Sequence, residues 1–225
     1  MEPSHTRLLV PPSRGFTLVE MLVVLAIIVV VTLIAITGQG NFNRSIILTD
    51  TAYTLAFSIR EAQSLGLSSR LFSGVQNAGY GIHLTNAVPT TYSLFADTLP
   101  AAPGSSQSGV CPGHSISSGP DAKPGNCTYD SASEQVRAYS LNRGFRISRF
   151  CGKDLAGVER CSGGYLDALD ITYLRPNTQS VITGVRGGSV IALTNAVIYV
   201  AAPDGSAERC VSVSKVGQVA VGTCL

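Results

Sequence analysis

The sequence is poor in charge and in the residues that most often do chemistry. Only 13% of its 225 residues are charged, and 16 Lys+Arg stand against 14 Asp+Glu, a formal balance of +2. A nucleic-acid binder that works through a basic tail needs a strong positive excess, so that class is excluded. Tryptophan is absent, and the three histidines are His5, His83 and His114. Neither His83 nor His114 has a nucleophile partner recognisable by spacing. No G-x-S-x-G elbow and no G-x-x-x-x-G-K-[ST] phosphate loop occurs. An enzyme is therefore not expected, and no cofactor is implied. The same low charge, set beside a 45% apolar share, excludes a chain disordered throughout. The length suits one globular domain with an appendage.

What is present is concentrated near the N-terminus. Phe16 to Thr37 is a run of 22 residues in which Glu20 is the one charge. As a helix it would span roughly 33 Å, enough for a bilayer core. The run is apolar all round, unlike an amphipathic surface helix. Arg7 and Arg14 precede it, on the side kept cytoplasmic by the positive-inside rule. The chain after Thr37 is then expected outside the cytoplasm, where all six cysteines lie. The alternative is a signal peptide or signal anchor. No A-x-A-like cleavage site follows the run; the small residue, Gly15, stands before it. A carboxylate inside an apolar segment is costly, so Glu20 needs a function and a partner.

Arg14-Gly-Phe-Thr-Leu-Val-Glu-Met-Leu22 resembles the class III signal of type IV pilins and type II secretion pseudopilins. The resemblance implies a prepilin peptidase that cuts after Gly15 and N-methylates Phe16. It implies that Glu20, the fifth mature residue, pairs with the N-terminal amine of a neighbouring subunit. A close Coulombic pair in low dielectric is the physical reason such a charge is kept. Removal of residues 1–15 takes away Glu2, Arg7 and Arg14, leaving 14 basic and 13 acidic residues. Major pilins often carry a helix-breaking Gly and Pro at the positions held here by Val29 and Thr37; neither is present. Gly38 and Gly40 are the expected soft point instead. This departure points away from a major pilin and toward a minor pilin or pseudopilin.

Beyond the apolar run, Leu48, Ala52, Leu55, Ile59 and Ala62 step by four and three, one face of a helix. Gly66 and Ser68-Ser69 read as its stop. One helix is predicted from Phe16 to about Ser68. The period then changes to two. Short strands are predicted at 80–84, 91–95, 136–141, 145–150, 169–174, 180–183, 190–193, 197–201, 210–213 and 218–221, with turn residues between them. No helix-length crossover separates them, so pairing is antiparallel. The fold class is α+β, a long N-terminal helix packed on an antiparallel β-sheet head, and this order also resembles the pilin fold. Gly79-Tyr-Gly-Ile-His-Leu84, Tyr92-Ser-Leu-Phe95 and a closing hairpin resemble the general secretion pathway H-type (FimT-like) minor pseudopilins. The expected organisation is a leader at 1–15, a transmembrane and filament-core helix at 16–38, its amphipathic continuation at 39–70, and a disulfide-containing head at 71–225.

Six cysteines allow fifteen connectivities, and sequence does not choose among them. Nearest neighbours are the expected pairs: Cys111 with Cys127 around a Pro/Gly/Ser loop (101–126), Cys151 with Cys161 around a short Gly-containing loop, and Cys210 with Cys224, equidistant from Gly217. Cys111-Pro-Gly-His114 has a ligand-like spacing, but no second Cys/His pair follows, so no metal is expected. Asp167 and Asp170 offer paired carboxylates, but read first as solvated turn residues flanking a strand, and His83 as a structural strand residue. Arg143, Arg146 and Arg149 interleave with Phe145 and Phe150, the chemistry of single-stranded DNA binding. On a regular strand Arg146 and Arg149 point to opposite faces. Some resembling minor pilins bind DNA through basic residues near the C-terminus, where this chain has a lone Lys215. Expected partners are prepilin peptidase, other pilin subunits through N-terminal helices, and membrane lipid before assembly, with DNA the least supported. The expected location is the cytoplasmic membrane as a single-pass protein with its head outside, then an extracytoplasmic filament.

Overall fold

The computed structural model describes residues 15–68, 70–100, 110–111 and 124–224, and for 37–42 the backbone alone. Residues 1–14, with His5, Arg7 and Arg14, lie outside the described residues, as does most of the Pro/Gly/Ser stretch with His114. The chain divides into two units at Asn43/Arg44.

The first unit holds the start of α1 (Leu18–Leu67, 50 residues). From Leu18 to Ile36 its mean hydropathy is 3.1, and none of that segment is buried by protein. Five successive β-branched residues, Ile27 to Val31 with Thr32 following, are not strong helix formers in water. In an apolar surrounding the helix wins because it alone satisfies every backbone N–H and C=O within the segment. Thr32 follows the same logic: its hydroxyl donates to Ile28 O at 2.7 Å.

In the second unit α1 continues from Arg44, and its stripe Leu48, Ala52, Leu55, Ile59 and Ala62 is buried. Among the described residues it packs with eleven strands in two sheets. The strands are β1 (Gly79–Thr85), β2 (Thr91–Asp97), β3 (Gln135–Ser140), β4 (Arg146–Lys153), β5 (Glu159–Cys161), β6 (Ala168–Tyr173), β7 (Ser180–Arg186), β8 (Ser189–Leu193), β9 (Asn195–Ala201), β10 (Glu208–Ser214) and β11 (Val219–Gly222). A six-stranded sheet runs β3-β2-β1-β6-β7-β8, and a five-stranded one runs β11-β10-β9-β4-β5. Every ladder is antiparallel. The fold is α+β. The expected single sheet is two because β4 pairs with β9 and the chain passes from the larger sheet to the smaller at Thr194, between β8 and β9. There Thr194 N–H donates to Lys153 O and Asp154 bridges to Leu193.

One apolar core joins the α1 stripe with Ile82, Leu84 and Leu94 of the larger sheet and Ile147, Phe150, Ile198, Val200, Val211 and Val213 of the smaller. The alternation is plain in β9, where Ala196, Ile198 and Val200 point inward. Disulfides link Cys111–Cys127, Cys151–Cys161 and Cys210–Cys224. Each stabilises by about 2–4 kcal/mol, largely by restricting the unfolded chain.

Gly66 does not stop the helix. It is helical, and α1 runs on to Leu67. Its role is close approach, since a Cβ there would sit 2.3 Å from the Tyr173 carbonyl oxygen of β6. Gly66→Ala gains about 1 kcal/mol of helix propensity but forces backbone apart in a packed interior. The expected net result is a loss of about 1–3 kcal/mol, measurable as a lower midpoint in denaturant unfolding.

Candidate functional site

The N-terminal segment is where the expected processing residues fall. Gly15, Phe16 and Thr17 precede α1 without regular structure. Among the described residues nothing lies within 4 Å of a Cβ built on Gly15, and Phe16 is 74% exposed. Glu20 stands in the first turn of α1, where a carboxylate complements the helix dipole. Its backbone N–H donates to Thr17 Oγ1 at 3.2 Å, and Met21 N–H donates to Thr17 O at 3.2 Å. Thr17 is thus the N-cap, with Glu20 three residues on, the Thr-x-x-Glu order of a capping box. Thr17 was not singled out from sequence, although this four-residue signature was there to be read.

The arginine cluster differs from its sequence expectation in two ways. A β-bulge lies in β4 between Ile147 and Arg149, leaving Ser148 as the extra residue. Arg146 consequently faces Ala201 and Arg149 faces Tyr199, two positions apart on β9. Both arginines therefore share the outer face of the sheet instead of pointing to opposite sides. The Arg149 guanidinium stacks on the Tyr199 ring at 4.0 Å, and Arg146 donates to Pro203 O at 3.2 Å. Arg143 is exposed in the preceding turn. Phe145 and Phe150, however, are buried in the core, so neither ring is free for base stacking. Glu208 adds a negative charge beside the patch, accepting from Ser148 Oγ at 2.7 Å.

Asp167 and Asp170 are not a solvated pair. Asp167 is exposed and accepts Gly187 N–H at 2.7 Å. Asp170 is fully buried, its Oδ1 2.6 Å from His83 Nδ1. His83 also packs on Tyr129, ring centroids 4.5 Å apart, which makes it a bonded structural residue. Two further carboxylates are buried nearby. Asp97 accepts the N–H groups of Asn126 and Cys127 at 2.8 and 2.7 Å. Gly125 permits this approach, since a Cβ there would lie 2.0 Å from the Asp97 carboxyl carbon. Glu134 accepts those of Thr98, Leu99 and Asp130 at 2.8–2.9 Å. Burial raises Asp97, Glu134 and Asp170 above the ordinary carboxylate range, against the opposing pull of these hydrogen bonds. The cysteine–carboxylate groupings Asp97/Cys111/Cys127 and Cys151/Glu159/Cys161 offer no thiolate, because all four sulfurs are in disulfides.

Residues 11–36 match the protein family described as the prokaryotic N-terminal methylation motif. No curated protein and no solved structure matches the chain. The matched segment spans Gly15 and Phe16 and the apolar helix that carries Glu20. A prepilin-type motif implies processing by a prepilin peptidase and assembly with other pilin subunits, and it marks structural subunits and not enzymes.

The buried acids carry a pH signature. A folded-state value above the unfolded one means the folded chain holds the proton more tightly. Stability from these groups is present at and below the ordinary carboxylate range and declines as pH rises through the raised values. Asp97→Asn removes one such group. The stability of the native chain relative to this variant should be greatest near pH 4 and smaller at pH 7, as read by tyrosine near-UV circular dichroism on heating.

Proposed function

We propose that this type IV pilin-like chain is a minor pilin or pseudopilin. It would be a non-catalytic subunit of a type IV pilus or a type II secretion-like filament. The observation that carries the reading is an exposed, non-helical Gly15–Phe16 bond at the head of a bare apolar helix with a single carboxylate in its first turn. Prepilin peptidase cuts after Gly15 and methylates Phe16. The chain first rests in the cytoplasmic membrane with its head outside. Three disulfides support that orientation, because they form in oxidising compartments. It then joins a filament through helix packing, with Glu20 paired to the amine of a neighbouring Phe16. A head-to-tail contact that does not close yields such a filament. The lack of a helix breaker at Val29 and Thr37 supports a minor role. The strands Gly79–Thr85 and Thr91–Asp97 and the hairpin Glu208–Gly222 are consistent with the H-type, FimT-like subgroup.

Mass spectrometry of the N-terminal peptide, from membranes and from sheared surface material, tests this. The expected result is methylated Phe16 as first residue in the sheared fraction, in low amount. Glu20→Ala should be cut and inserted yet missing from that fraction. A chain found in membranes alone and still beginning near Met1 would overturn the reading.

A second reading is a DNA- or surface-binding pilin, favoured by the bulge that sets Arg146 and Arg149 on one face. Its test is binding of single-stranded DNA by the mature protein at low and high salt. Binding that falls with salt and is lost in Arg146→Ala/Arg149→Ala supports it; equal retention by the variant rejects it.

A further inference from the structure

We propose that Thr17 is a positioning residue for maturation, which keeps the Gly15–Phe16 bond out of the helix so that a peptidase can reach it. The inference rests on the processing assignment above and names the residue that makes the bond accessible. Three observations carry it. The first helical hydrogen bond closes on Thr17 O, two residues past Gly15. The hydroxyl of Thr17 takes the Glu20 N–H, the contact that fixes a helix start. Gly15 and Phe16 stand outside the helix, with none of the described residues crowding Gly15, inside a segment that independently matches a processed-terminus motif.

The alternative start is written in the sequence. Upstream of Thr17 the next residue with a capping side chain is Ser13, which follows Pro11-Pro12. A helix capped at Ser13 would place Gly15 and Phe16 at its second and third positions. The Gly15 carbonyl would then accept the Val19 N–H, and the bond would be wrapped inside the first turn. Hydrolysis adds water across that bond, leaving a carboxylate on Gly15 and an amine on Phe16. The carbonyl carbon must be open to attack and the backbone extended in the protease cleft. Capping at Thr17 preserves both conditions. The apolar run favours helix growth toward the leader, so a stop is needed at this point.

The test uses the full-length precursor in phospholipid vesicles with a prepilin peptidase, cleavage being followed by mass at substrate levels below saturation. Thr17→Val keeps the shape of threonine and removes the acceptor. Thr17→Asn changes the shape and keeps a preferred cap. Thr17→Val is expected to be cut about fivefold more slowly, the effect of losing a typical cap, and Thr17→Asn at the native rate. Amide exchange gives a second readout, with Leu18 and Val19 gaining protection in Thr17→Val alone. Native-rate cleavage of Thr17→Val overturns the proposal. So does slow cleavage of both variants without a change in exchange, because the peptidase would then be reading the threonine side chain itself. If the native precursor is not cut, the processing assignment fails first and this inference falls with it.

Discussion

A helix from Leu18 to Ile36 with no protein against it cannot rest in water. Burying one Val, Leu or Ile side chain is worth about 1.5–3 kcal/mol, and this segment is built almost wholly of them. The unmet burial amounts to tens of kcal/mol. A bilayer or a bundle of like helices must supply it. Much of the remaining architecture answers to that demand. Glu20 is tolerable only where it meets a partner or lies near the membrane edge. The start of the helix has to be defined by a cap, because an apolar run has no stop of its own.

The head solves a different problem. It must be stable as a separate unit while carrying a long insertion between β2 and β3. Its means are covalent and polar. Asp97, on the last residue of β2, grips the backbone at Asn126 and Cys127, and Cys127 in turn is bonded to Cys111. Glu134 ties the far side to Thr98 and Leu99. The two ends of the insertion are therefore fastened to each other and to the sheet. Burying acids that accept backbone N–H groups trades desolvation for this precision of placement.

Periodicity carried most of this arrangement. Each of the ten predicted strands has a counterpart within two or three residues, because alternation over a half-buried sheet is a strong signal. β5 escaped, since Glu159-Arg-Cys161 has no alternation and is held by a disulfide and the Arg160–Asp154 pair at 2.9 Å. The division into two sheets escaped too, because pairing order is a long-range property. At the arginine cluster one extra residue, Ser148, reversed the facing of Arg149, and single-residue bulges leave no mark in an alternation pattern. Asp170 looked like a turn residue because its partner His83 is 87 positions away. Thr17 is the opposite case: its signal was local and complete.

The two disulfides of the five-stranded sheet have a mechanical meaning. Cys151–Cys161 ties β5 to β4, and Cys210–Cys224 ties the chain two residues past β11 to β10. β5 and β11 are the two outermost strands of that sheet. An outermost strand is where a β-sheet yields under tension, unzipping one hydrogen bond at a time at low force. With both margins riveted, the sheet has no seam from which peeling can begin. A load must break many ladder bonds together in shear, so this half of the head is built to resist tearing more than its equilibrium stability alone would suggest.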